Sequence, residues 1–137
     1  MQNKPTRKHI TKETRERVHA KYGGYCAYCG CLLEYKDMQI DHLHPVHKGG
    51  SNELENLMPS CRSCNHYKES FTLEQFRDRL SATFDNLKES PTFRLALRYG
   101  LASMPGKWNR KFYFETLKTT HPCTSKSLVT HFSTKNE

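Results

Sequence analysis

The strongest constraint on this chain is a repeated short spacing. Cys26-Ala27-Tyr28-Cys29 is followed, after 31 intervening residues, by Cys61-Arg62-Ser63-Cys64. A two-residue gap lets both thiolates of a knuckle face one ion, and two such knuckles complete a tetrahedral sulfur cage suited to zinc. Cys31 lies one residue beyond the first knuckle and is an alternative to Cys29 as ligand, although Gly30 suits the tight turn that follows Cys29. Cys123, far along a polar tail, reads as a bystander. Disulfides are the competing use of four cysteines, but the start, MQNKPTRKHITKE, has no apolar core of a secretory signal. The expectation is therefore a soluble, intracellular chain with reduced thiols. A metal staple is also what the composition calls for. Only 35% of the 137 residues are hydrophobic and the mean hydropathy is −0.86, so the apolar core is small for this length.

Charge divides the chain unevenly. The 22 Lys and Arg outnumber the 14 Asp and Glu, for a formal net charge of +8, which favours a polyanionic partner such as nucleic acid. Residues 26–70 run against this trend, with four basic and six acidic side chains, and they hold five of the six cysteines and four of the eight histidines. A cation-binding centre inside a phosphate-binding frame has this distribution. A solvated charged surface gives the same counts. No apolar run approaches the roughly 18 residues of a membrane span.

The segment between the knuckles carries the unusual residues. Met38 and Ile40 alternate as a short strand should before Asp41 and His42, and Pro45 with Gly49-Gly50 closes the strand and opens a loop. Leu57 to Pro59 can return as a second strand, with Asn56 at the end of the loop. A helix is expected from about Cys64-Asn65-His66. A site closed by four cysteines has no position for water, so zinc is scaffold and any catalysis belongs elsewhere.

Taken together, CAYCG, IDHLHPVHKGGSNELENL and CRSCNHYK resemble an HNH endonuclease of the zinc-binding ββα-metal kind, over about residues 22–70. The resemblance implies a structural zinc on Cys26, Cys29, Cys61 and Cys64. It implies that Asp41 and Asn65 ligate a catalytic divalent cation, that His42 is the general base, and that Asn56 braces the loop so that His42 keeps its orientation. The third motif position is Asn65 where the family name has His. An amide oxygen is a harder ligand than imidazole and favours Mg²⁺ or Mn²⁺. His66 is the rival, but one residue along a helix turns the side chain by about 100°, so the two cannot both face one ion. The activity implied is hydrolysis of DNA phosphodiester bonds, double-stranded DNA being the partner, with 5′-phosphate and 3′-hydroxyl ends. His42, of a residue type that titrates near neutrality, suits proton transfer from water. His44 and His47 either line the site or are exposed loop residues.

The flanks read as delivery and support. Residues 11–22 are predicted to form a helix capped by Thr11, with Ile10, Val18 and Tyr22 on one side and Lys12, Arg15, Arg17 and Lys21 available either to phosphate or to solvent. Thr72 and Gln75 fit a capping box, with Phe71 and Phe76 as a hydrophobic staple. Leu73, Phe76, Leu80, Phe84 and Leu87 then recur at helical spacing, a stripe for packing on the core or on a second subunit. Ser90-Pro91 starts another helix, which Gly100 ends. Phe112-Tyr113-Phe114 reads as an edge strand, with Lys107, Arg110, Lys111 and Lys118 around it as phosphate contacts.

The expected architecture is α+β: a basic N-terminal arm and helix over 1–21, a zinc-stapled ββα-metal nuclease core over 22–70, a helical extension with an edge strand over 71–118, and a disordered tail over 119–137. Two other readings fit much of the same sequence. One is a non-catalytic zinc module that only binds nucleic acid, which has no need of the Asp41, His42, Asn56 and Asn65 set. The other is a nuclease acting on RNA, since phosphate contacts carry no base identity. A single site cuts one strand, so a double-strand break requires a homodimer, two visits or a rearrangement.

Overall fold

The computed structural model describes residues 9–104, 106 and 108–117. The first residues of the basic arm, Lys107, Lys118, Cys123 and the 119–137 tail lie outside the described residues. The architecture is mixed: helices around one small antiparallel sheet.

Helix α1 (Lys12–Ala20) begins as predicted, with the Thr11 hydroxyl accepting from the Thr14 amide. Its one buried residue is Val18, which packs with Leu33, Met38 and Leu57; Ile10 lies against the same group. Strands β1 (Gln39–His42) and β2 (Leu57–Ser60) pair antiparallel, with Asp41 opposite Met58 and His42 opposite Leu57. Between them the chain makes two single 3-10 turns, at Val46–Lys48 and Leu54–Asn56. Helix α2 (Arg62–Lys68) follows β2 directly and packs on β1. It starts earlier than the sequence suggests because the Cys61 sulfur accepts from the Cys64 amide and serves as the N-cap.

The capping box at Thr72 and Gln75 opens helix α3 (Leu73–Glu89), and Ser90 ends it and caps α4 (Pro91–Arg98). The α3 stripe is used over half its length. Phe76 is buried and Leu73 and Leu80 pack beside it, whereas Leu87 is exposed. The second core cluster joins Cys26, Ala27, Tyr28, Met58, Phe76 and Phe112. The rings of Phe76 and Phe112 stack with centroids 5.0 Å apart, and Tyr28 meets both edge-on.

The expected edge strand at Phe112-Tyr113-Phe114 is a helical turn instead, α5 (Tyr113–Thr116). The amides of Tyr113 and Phe114 donate to the carbonyls of Tyr28 and Ala27, and Phe112 N–H is taken by the Glu115 carboxylate. In a strand, successive amides point to opposite sides. Three consecutive amides that are free to bond outside their own ladder are the signature of a helix N-terminus.

Candidate functional site

Asp41 stands at the centre of the hairpin face covered by α2. Its side chain is 7% exposed, and its Oδ2 lies 2.9 Å from Nζ of Lys68, whose own side chain is fully buried. The Tyr28 hydroxyl donates to the same Oδ2. Burial, and then the adjacent Asp41 carboxylate, push the Tyr28 phenol well above its ordinary pKa, so it remains a donor. Oδ1 accepts no hydrogen bond from a described residue, which leaves it as the carboxylate oxygen without a protein partner. Lys68 also donates to the His42 carbonyl at 2.9 Å, tying α2 to the end of β1.

His42 is half-buried, with Nε2 3.0 Å from the Asn52 side-chain oxygen. That oxygen can only accept, so Nε2 is the donor in this pair, and Nδ1 has no hydrogen-bond partner among the described residues. Among the described residues Asn56 makes no side-chain hydrogen bond to His42. Its Oδ1 accepts from the His44 amide at 2.8 Å, and its Nδ2 donates to the carbonyls of His44 (3.0 Å) and Ser51 (2.8 Å). The two ends of the loop are thereby clipped together two residues beyond His42. The clip needs close backbone approach: a Cβ on Gly50 would lie 1.8 Å from the His44 carbonyl oxygen. Lys21 braces the same loop from α1, donating to the carbonyls of Leu54, Glu55 and Leu57.

Asn65 lies three residues before Lys68 and so shares the helix face turned toward β1. It is half-buried, and its side chain makes no hydrogen bond among the described residues. His66 is exposed and rests edge-on against Tyr67. His44 bonds the Lys48 carbonyl, and His47 is exposed.

Beside the hairpin, four thiols converge. The sulfurs of Cys26, Cys29, Cys31 and Cys61 lie within 4.8 Å of one another. Cys64, the fourth ligand expected from the spacing of the two knuckles, lies outside that group, and Cys31 lies within it. The Cys61 amide donates to the Cys26 sulfur, and the Gly30 amide closes the first knuckle onto the Cys26 carbonyl. The Cys26 thiol is pulled far down, first by the neighbouring Cys29 and Cys64 thiols. The Cys64 thiol is driven up by the same sharing, and Cys31 is driven up chiefly by burial. One thiolate held at the expense of its neighbours is the chemistry that a bound divalent ion relieves, since the metal takes every ligand sulfur as thiolate. The cluster fits zinc.

Among the predicted phosphate contacts, Arg15 and Lys21 are engaged inward. Arg15 donates to the carbonyls of Tyr35 and Met38. Arg110 bonds Asp78 and Ser81, while Lys12, Arg17 and Lys111 are exposed. Four residues that shape the site escape sequence reasoning: Tyr28, Lys68, Asn52 and Lys21. Lys68 has a usable signal, since it stands three residues after Asn65 on one helix face. Asn52 has none.

The fold and site define a class: a small helix-and-hairpin domain with a thiol cluster beside the hairpin and an Asp-His pair at the end of its first strand. Residues 26–71 match the family model of the HNH endonuclease. The chain is 27% identical over 95 residues to the SPbeta prophage-derived HNH protein YoqL of Bacillus subtilis (strain 168), covering 63% of this chain and 41% of that protein. It is 31% identical over 70 residues to the CRISPR-associated endonuclease Cas9 of Corynebacterium diphtheriae, covering 50% of this chain and 6% of the Cas9. The chain thus spans less than half the length of either relative. A solved structure of the Type II-C Cas9 enzyme from Actinomyces naeslundii aligns with 54% of this chain and 9% of its own, at a TM-score of 0.40 and 23% identity. Among the described residues, no helix is long and apolar enough to cross a membrane.

Proposed function

We propose that this chain is a metal-dependent endonuclease that hydrolyses DNA phosphodiester bonds from a ββα-metal core, leaving 5′-phosphate and 3′-hydroxyl ends. The observation that carries the reading is the pairing of two prepared groups on β1. Asp41 is held through Oδ2 with Oδ1 left open, and the next residue, His42, has Nε2 tied to Asn52 and Nδ1 left free. Asp41 and Asn65 are the oxygen donors that would hold Mg²⁺ or Mn²⁺, and an acidic oxygen with an amide oxygen suits such hard ions. When bound, that ion supplies neutralisation of charge on the phosphate and on the departing oxygen.

His42 takes the proton from the attacking water at Nδ1, and the bond at Nε2 keeps the ring turned for that transfer and stabilises the imidazolium it becomes. Asn56 and Lys21 act on the loop that carries Asn52. Cys26, Cys29, Cys61 and Cys64 would hold the zinc, which would anchor α2, and with it Asn65, to the hairpin; Cys31, whose sulfur converges with those of Cys26, Cys29 and Cys61, is the competing fourth ligand. The substrate is double-stranded DNA, and the exposed Lys12, Arg17 and Lys111 are the candidates for phosphate contact.

The test is incubation of zinc-loaded protein with supercoiled plasmid in Mg²⁺, in Mn²⁺ and in chelator, beside a folded, zinc-loaded His42→Ala protein. Metal-dependent nicking or linearisation that the variant loses is the expected result. Matched RNA run alongside separates the two nucleic acids, and the ratio of nicked to linear product over protein concentration reports whether a homodimer cuts both strands. A wild type that shifts DNA in a gel yet cuts nothing under either metal refutes the proposal and leaves a zinc-stapled binding module.

A further inference from the structure

We infer that Lys68 is a built-in counter-ion that leaves the candidate cation site formally neutral, so that the free protein takes up a divalent ion weakly and acquires it together with a phosphodiester. The inference rests on the nuclease reading above and concerns how that site is charged. Lys68 is fully buried, and its Nζ reaches Asp41 Oδ2 and the His42 carbonyl, each at 2.9 Å, with the face of Tyr28 6.0 Å away. An ammonium placed there is fixed by its surroundings and is not a mobile surface charge. Asp41 contributes one negative charge, Lys68 cancels it, and Asn65 contributes none. Nothing else makes up the deficit: among the described residues, the one group of three or more His, Cys, Asp or Glu side chains that converges is the cysteine cluster. A hard divalent ion that meets one neutralised carboxylate and one amide lacks the anionic oxygens it binds well, and phosphate is the group that provides them.

Lys68 has a second consequence. By occupying Oδ2 together with Tyr28, it restricts Asp41 to one open oxygen, so the carboxylate is a one-point ligand whose direction is set by the protein. Lys68 is thus a positioning residue that acts through Asp41 and is not itself in contact with substrate.

The experiment is calorimetric titration of Mn²⁺ into zinc-loaded protein, with free Mn²⁺ counted by electron paramagnetic resonance. Wild type is measured alone, and the His42→Ala protein is measured with and without duplex DNA, which it leaves uncut. Uptake should be weak without DNA and at least about tenfold tighter with it. Lys68→Met, which leaves Asp41 uncompensated, should bind Mn²⁺ roughly tenfold or more tightly than wild type in the absence of DNA, whereas Lys68→Arg, which keeps the charge, should stay weak. Tight uptake by free wild type, or a Lys68→Met protein that binds no better, overturns the inference. If Lys68→Met does not fold, the comparison with and without DNA still decides it, since equal affinity in the two refutes recruitment by phosphate. Plasmid cutting by wild type is followed in parallel. A failed nuclease reading appears there as no cutting, while a failed Lys68 reading appears in the titrations of a protein that does cut.

Discussion

Asn56→Ala tests the loop clip directly. The substitution removes one accepted bond, from the His44 amide, and two donated bonds, to the carbonyls of His44 and Ser51, all between 2.8 and 3.0 Å. A net hydrogen bond contributes about 0.5–1.5 kcal/mol, and because Asn56 is half-buried, water can reach the freed groups, which places each bond near the lower limit. The expected loss is about 2 kcal/mol. With a urea slope of about 1–3 kcal/mol/M, that moves the unfolding midpoint of the zinc-loaded protein down by about 1 M with the slope unchanged. Asn56→Asp separates the clip from mere polarity. It keeps an acceptor for the His44 amide but turns a carboxylate oxygen toward two carbonyl oxygens, so it should be at least as destabilised as the alanine variant. Cleavage should fall in both, because the clip fixes the loop that carries the His42 partner Asn52. A midpoint within about 0.3 M of wild type for Asn56→Ala, or a wild-type midpoint for Asn56→Asp, refutes the argument.

Cys64→Ser should lose zinc and cooperative melting together, whereas Cys31→Ser should retain one zinc per chain and an unchanged Tm; metal analysis with thermal melts checks both, and the reverse pattern makes Cys31 the ligand. Lys21→Met removes three bonds to loop carbonyls and should destabilise by about 1–2 kcal/mol in urea, with added salt unable to mimic the loss. Tyr28→Phe should show an altered alkaline limb of stability. Because the Tyr28 pKa is raised in the folded state, the folded chain keeps a proton that the unfolded one releases above the ordinary pKa of 10.0. Stability from this group is therefore full below that pH and is lost as pH rises toward the folded value. The variant, lacking the group, should lose less stability than wild type between about pH 9 and 11 in chemical unfolding.

What the sequence made legible was local. Thr11, Thr72, Ser90 and Pro91 mark helix starts through bonds within one turn, and the alternation at Met38 and Ile40 marks β1, because each signal and its consequence lie a few residues apart. The Asp41-His42 pair and the spaced cysteines are legible for another reason: their chemistry is written in residue type. Phe112-Tyr113-Phe114 misleads because three aromatics favour a strand by propensity, and the deciding bonds, to the carbonyls of Ala27 and Tyr28, come from 85 or more residues away in the chain. Tyr28 is illegible in the same way, and Lys68 is legible only as far as its helix face, three residues after Asn65. Neither residue type carries a mark that both end on one oxygen of Asp41.

The basic residues illustrate how far a charge count can drift from its meaning. Arg15, Lys21 and Lys68 each donate to main-chain carbonyls: at Tyr35 and Met38, at Leu54, Glu55 and Leu57, and at His42. These carbonyls flank β1, the turn at Leu54–Asn56 and the start of β2, where a two-stranded sheet leaves many main-chain acceptors without a ladder partner. A long cationic side chain that reaches across from a helix satisfies several acceptors at once, which a small domain with little regular sheet needs. Burial lowers the Lys21 pKa, with Glu55 opposing, as expected for a cation used as an internal brace. The positive charge that a polyanion meets at close range is therefore smaller than +8 suggests. Substituting Lys12 or Arg17 should weaken salt-sensitive nucleic-acid binding with little effect on melting, while substituting Arg15 or Lys21 should do the opposite.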